Sequence, residues 1–182
     1  MSKYDVVIAI DPDVDKSGVA FLEVATKTLE VSALTFANLL DYLQFVKRES
    51  VTASSQRFVV VVEAGWLNSA HWHVRDGDSR RIAAAKGNSA GRNHEVGRKI
   101  LELCRHYGLD TVEQRPLKKM WNGRDGKITH EELASFTGLM GATNQEQRDA
   151  ALLAWVYAGL PVRIAKEKMI RKTAVSRKIH KY

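Results

Sequence analysis

Cysteine is nearly absent from this chain, and so is any long apolar run. The lone thiol, Cys104, can close no internal disulfide and can build no cysteine-based zinc site. It falls on the apolar side of an expected helix, where a free thiol serves as a small hydrophobe, and that usage implies a reducing, intracellular setting. No segment reaches the roughly eighteen apolar residues that a membrane span requires. Met1-Ser2-Lys3-Tyr4-Asp5 leads straight into a strand pattern, without the zones of a secretion signal. The expectation is a cytoplasmic protein with no membrane partner. Internal repeats are missing too. At 182 residues, 45% of them hydrophobic, the chain can bury one full core without outside staples.

Acids are the next scarcity, and they are missing from one place. From Arg163 to Tyr182 the chain carries eight Lys or Arg against the single acid Glu167, whereas residues 1–162 hold 20 side chains of each sign. The net charge of +7 therefore belongs to the last stretch. We divide the chain accordingly, into a folded domain over 1–162 and a basic C-terminal tail over 163–182. Such a tail reads as a phosphate-seeking arm, although a solvated tail with no partner would have the same composition.

Within the domain, apolar runs and turn residues predict strands over Asp5 to Ile10, Gly18 to Val24 and Leu29 to Leu34, which suggests an antiparallel meander. Phe36, Leu39, Leu40, Leu43 and Val46 recur at helical spacing and predict a helix to about Lys47. Phe58-Val59-Val60-Val61-Val62 has no polar alternation and so reads as a strand covered on both faces. Residues 64–91 read as a long irregular loop. A helix over Asn93 to Tyr107, with Val96, Ile100, Leu103 and Cys104 inward, would end at Gly108. A short strand at Thr111 to Val112, a basic turn-rich stretch to Asp125, a short helix from Thr129 and a longer one from Gln145 complete the order. That order predicts an α/β fold, a mixed five-stranded sheet flanked by helices.

Four acids stand out against this frame. Asp11 directly follows the first strand, beside a turn carrying Ser17 and Gly18, and Glu63 ends the most apolar strand. A carboxylate bordering so apolar a strand costs several kcal/mol, roughly, unless a cation or hydrogen bonds compensate it. Parallel neighbouring strands would bring Asp11 and Glu63 together. Glu146 and Asp149, three apart at a helix start, share one face. Each has a plainer reading. Asp11 alone could make a turn, and Thr143 with Glu146 fits a capping box. Asp149 resists such an account, because it borders Ala150-Ala151-Leu152-Leu153-Ala154, which must face the core. Carboxylates gathered from separate segments suit two-metal phosphodiester hydrolysis, with ions about 3.5–4 Å apart, and oxygen-only ligands favour Mg²⁺ or Mn²⁺.

Asp11, Asp13 and Asp15 do not make a calcium loop, since Lys16 and Leu22 stand where Gly and Glu are needed. His71 and His73 lack further ligands for zinc, and loop histidines beside DNA phosphates are the simpler reading.

Ile8-Ala9-Ile10-Asp11-Pro12 with Ser17-Gly18, then Val61-Val62-Glu63, then Glu146-Gln147-Arg148-Asp149-Ala150-Ala151 resemble the three signature blocks of the RuvC family of Holliday-junction resolvases, in order and spacing, over about residues 4–160. The resemblance implies an RNase H-like nuclease domain and a homodimer that binds branched DNA, four-way junctions above all. It implies paired nicks in the service of DNA recombination and repair. Asp11, Glu63, Glu146 and Asp149 would be the catalytic metal ligands, holding two Mg²⁺ or Mn²⁺ ions. Trp66 matches the position of an aromatic wedge that stacks at the opened junction, the alternative being a packed loop anchor. Lys86 to Arg92 resembles the start of the family's dimer-and-DNA helix, and Lys118, Lys119 and Lys127 its basic DNA-contacting stretch. Glu146 stands where cellular members carry Asp, and the tail is additional, as in phage or mobile-element relatives. Two other functions are weighed beside this one. A non-catalytic branched-nucleic-acid-binding module would have the same fold without cleavage. An actin-like phosphotransferase would need two such domains to clamp ATP.

Overall fold

The computed structural model describes residues 3–53, 55–68, 77 and 79–163. The elements are β1 (Val6–Asp11), β2 (Ser17–Glu23), β3 (Thr28–Leu34), α1 (Phe36–Thr52), β4 (Phe58–Glu63), α2 (Arg80–His106), β5 (Thr111–Gln114), α3 (His130–Thr137) and α4 (Gln145–Tyr157), with short 3-10 turns at Gly65–Leu67 and Arg124–Gly126. The sheet order is β3-β2-β1-β4-β5. β1, β2 and β3 form the expected antiparallel meander, while β4 runs parallel to β1 and β5 parallel to β4. This is the expected α/β arrangement, a mixed five-stranded sheet with helices on both faces.

Side chains along a strand alternate between faces, and the two halves of the core follow that alternation. Val7, Ala9, Val59 and Val61 pack against α3 and α4 through Leu133, Ala150, Ala151, Leu153 and Trp155. Val6, Ile8, Ile10, Val60 and Val62 pack on the other face against Leu39, Leu43 and Val46 of α1 and Ile100, Leu101 and Cys104 of α2. Every valine from Val59 to Val62 is wholly buried, each contributing about 2 kcal/mol of apolar transfer. Continuing the same count by two places puts Asp11 and Glu63 on the face that α4 covers.

α1 starts at Thr35, whose side chain accepts from the Asn38 amide, and runs one turn beyond its apolar stripe. α3 has a full capping box between Thr129 and Glu132, and it ends at Gly138 in the left-handed region. Gly108 takes the left-handed conformation expected after α2, with the Leu109 amide donating to the Cys104 carbonyl.

Three readings need correction. The expected loop over residues 64–91 is helix from residue 80 onward, because α2 begins at Arg80. Its first buried residue is Gly97, so the preceding turns present no apolar stripe from which to read a period. The Ser79 hydroxyl caps the Ile82 amide there, and the run Arg80-Arg81-Ile82-Ala83-Ala84-Ala85-Lys86 is rich in strong helix formers. Gly87 and Gly91 cost the helix about 1 kcal/mol each without ending it. On the inner face of α2, Leu101 is buried where Leu103 was expected. At α4 the capping pair is Asn144 with Gln147, rather than Thr143 with Glu146. Among the described residues, no helix is long and apolar enough to cross a membrane.

Candidate active site

The parallel register of β1 on β4 matches Ile10 with Val62, so the next residues, Asp11 and Glu63, end side by side at the strands' C-terminal edge. Asp11 also lies opposite Gly18 of β2. Gly18 has no side chain for a reason visible in three dimensions. A Cβ there would overlap the backbone carbonyl of Glu146 and stand 3.0 Å from the Gln147 nitrogen. The first turn of α4 therefore rests directly on the strand that flanks Asp11. Asn144 caps this turn by accepting from the Gln147 amide, and Gln147 returns the bond to the Asn144 amide. Glu146 is left out of the cap and is not consumed by it.

Asp149 follows three residues later, half-buried, and both its oxygens are engaged. Oδ1 accepts from Gln145 Nε2 at 2.7 Å and Oδ2 from Lys127 Nζ at 2.7 Å. Burial first, then the charges of Glu63 and Asp149, push the Asp11 carboxyl well above its ordinary range, with Glu146 adding to the rise and Lys127 opposing it. Burial, then Asp149, raises Glu63 to about 7, against the pull of Lys127 and Lys119. Like charges that raise a buried acid's pKa lie close to it, so Glu63, Glu146 and Asp149 all stand within electrostatic reach of Asp11.

Lys127, which the resemblance assigns to the basic stretch, lies against these acids at Asp149. Burial works against its ammonium, but the hydrogen bond and charge of Asp149, with Asp11 and Glu146 behind them, hold its pKa above the usual lysine value. The sequence pattern alone did not reveal this pairing, because Lys127 and Asp149 are 22 residues apart with a helix between them.

Trp66 does not stand free in this structure. Its ring lies on Gly97 of α2, where a Cβ would come within 2.6 Å of it. His94 meets the ring edge-on at 6.0 Å, Arg98 sits 5.4 Å from its centroid, and the indole N–H donates to Glu113 Oε2 at 3.2 Å. Glu113 is held in turn by Arg105. The turn after Glu63 is thus pinned to α2. Asn93, which the sequence did not single out, makes a second link. Its amide donates to Asp13 Oδ2 at 3.0 Å and accepts from the Val14 amide at 3.2 Å, tying the β1–β2 turn to the same helix. An Asn inside a helix carries no such signal on its own.

The remaining basic candidates divide. Lys119 is exposed and acts on Glu63 by charge. Lys118 beside it is exposed in the same irregular stretch. Lys86 and Arg92 lie on the N-terminal half of α2, and neither figures among the charges that move Asp11 or Glu63. His71 and His73 lie outside the described residues, as does the tail from residue 164 onward.

The donor set is all oxygen and carries four carboxylates against one inserted ammonium, a surplus of negative charge that suits Mg²⁺ or Mn²⁺. As the side chains stand, no three Asp, Glu, His or Cys among the described residues converge closely enough to grip an ion. Asp149 is turned instead to Lys127. The chemistry of the set fits the ions, and the present rotamers give one of its carboxylates an internal ammonium as partner.

No family model matches the chain, and no curated protein matches it. Among solved structures it is similar to RuvC of T. thermophilus in complex with a Holliday junction substrate, at 14% identity over 85% of this chain and 94% of that one, with a TM-score of 0.42. At that overlap, activity has to be argued from the site itself.

Proposed function

We propose that the chain is a metal-dependent, structure-selective DNA endonuclease, acting as a homodimer on four-way junctions or related branched DNA. The observation that carries the reading is the set of acids at one sheet edge, where burial and then the charges of Glu63, Asp149 and Glu146 raise the pKa of Asp11. Burying that much like charge is unfavourable by several kcal/mol, roughly, unless cations are to be held there. The choice of branched DNA rests on the sequence blocks that resemble RuvC resolvases.

Asp11 and Glu63 would hold ions from the rigid sheet, and Glu146 and Asp149 from the first turns of α4. Two divalent ions bound there supply the Lewis acidity that activates a water and steadies the departing 3′ oxygen. The chain's own part is to fix these oxygens. Gln145 orients Asp149 through its 2.7 Å bond, and the Gly18 contact sets the height of Glu146 over the sheet. Lys119, exposed within charge reach of Glu63, and its exposed neighbour in sequence Lys118 would meet the phosphate backbone, and the basic tail would add affinity without sequence preference.

The Lys127–Asp149 ion pair favours one competing reading, a binding module in which the lysine has replaced the metals for good. A labelled four-way junction separates the two. The nuclease reading expects nicks that depend on Mg²⁺ or Mn²⁺ and vanish with EDTA. Asp149→Asn protein should still bind the junction while its cleavage falls by orders of magnitude. Undiminished cutting by that variant would refute the assignment, and wild-type binding without any metal-dependent cleavage would favour the module.

A further inference from the structure

We propose that Lys127 is a built-in counter-ion, which takes the place of a divalent cation among the carboxylates and has to leave Asp149 before an ion is held there. The inference rests on the metal-dependent reading above and adds a competition that the reading does not require.

Two observations set it up. The Lys127 ammonium stands 2.7 Å from Asp149 Oδ2, with the two side chains 34% and 18% exposed. Among the described residues no three ligand-type side chains converge on a common point. The position that draws Asp149 toward its neighbours is thus already taken by a positive charge.

Lys127 is also delivered there by a built device. The chain from Trp121 to Lys127 folds back on itself, with the Trp121 amide donating to the Gly126 carbonyl and the Gly123 amide to the Lys127 carbonyl. Asp125 and Gly126, both at positive φ, close the turn. Gly123 has no room for a Cβ, which would overlap the Lys127 carbonyl. Trp121 is buried and stacks on Phe136, which tilts against Trp155 of α4. On the other side Arg148 of α4 donates to the Ile128 carbonyl at 3.1 Å. The backbone at Lys127 is therefore fixed to the same helix that carries Asp149, while the flexible four-carbon stem leaves the ammonium able to swing. One charge cannot neutralise four carboxylates, so the pair holds the cluster together in the metal-free protein and yields to a stronger, divalent competitor.

Removing the ammonium should then tighten metal binding while weakening the metal-free fold. Mn²⁺ would be titrated calorimetrically into metal-free wild-type, Lys127→Met and Lys127→Arg protein, and each would be melted with and without the ion. The expected result is an affinity about ten-fold higher for Lys127→Met. That variant should also melt lower without metal and gain more on saturation, while Lys127→Arg stays near wild type. If Lys127→Met binds Mn²⁺ no tighter than a wild-type protein that does bind it, the counter-ion role is wrong and the nuclease reading stands. If none of the three binds Mn²⁺, both fall. Should Lys127→Met fail to fold, Lys127→Gln, which keeps a donor for Asp149, carries the same comparison.

Discussion

Adding one methyl group at Gly18 tests whether the two halves of the site are locked together by contact. The built Cβ overlaps the Glu146 carbonyl, and its next neighbour is the Gln147 nitrogen at 3.0 Å, so both obstacles are backbone and neither can rotate away. Ordinary contact between heavy atoms needs roughly 3.5 Å. The first turn of α4 would have to lift by about 1 Å, taking Glu146 and Asp149 with it. Overpacking of this kind costs about 1–3 kcal/mol, which for a chain of this size is a melting-temperature loss of about 2–12 °C. A catalytic constellation displaced by about 1 Å loses on the order of a hundred-fold in rate. Gly18→Ala should therefore lower single-turnover cleavage of a labelled junction far more than its stability loss explains. Leu43→Ala, a deletion in the core on the opposite face of the sheet, serves as the control. It should cost about 2–5 kcal/mol yet leave the rate of the folded fraction unchanged. Wild-type melting and cleavage for Gly18→Ala would refute the contact, and equal rate losses for the two variants would refute the coupling to the site.

Three further outcomes follow from the same geometry. Metal-free protein should become less stable as pH rises from about 4.5 to about 7, because Glu63 has its pKa raised to about 7 and binds its proton more tightly folded than unfolded. The loss is on the order of 3 kcal/mol, Asp11 acts in the same direction, and Mg²⁺ should raise the melting temperature more at pH 8 than at pH 5; a flat profile in EDTA would contradict this. Trp66→Ala should lower stability by about 2 kcal/mol as its packing on Gly97 and His94 disappears, whereas a free wedge would lose junction affinity with unchanged melting. Deleting residues 163–182 should weaken DNA binding and flatten its salt dependence by about 0.9 for each phosphate that the tail had neutralised, and an unchanged slope would mark the tail as electrostatically idle.

Much of the sheet could be read in advance because burial on both faces leaves an unmistakable run, Val59 to Val62, and because parallel pairing of two such runs aligns whatever acid ends each. Asp11 and Glu63 followed from that alone. The first turns of α2 were missed since a solvated helix has no apolar stripe, and Gly87 and Gly91 looked like loop. Glu146 seemed half explained by a cap that in fact belongs to Asn144 and Gln147. What no periodicity carries is the meeting of distant segments. The clearance at Gly18, the Asn93 link to the β1–β2 turn, and the ammonium of Lys127 between carboxylates all depend on how elements dock after they form.

The placement of the acids also divides the site by how firmly its parts are held. Asp11 and Glu63 end strands whose interior residues are wholly buried, so their amides should resist hydrogen exchange until the whole domain opens. Glu146 sits in the first turn of α4, where helix ends open first, and the contact at Gly18 is what holds that turn to the sheet. The architecture resembles an anvil and a jaw, the central half keeping its coordinates while the peripheral half depends on the contact at Gly18.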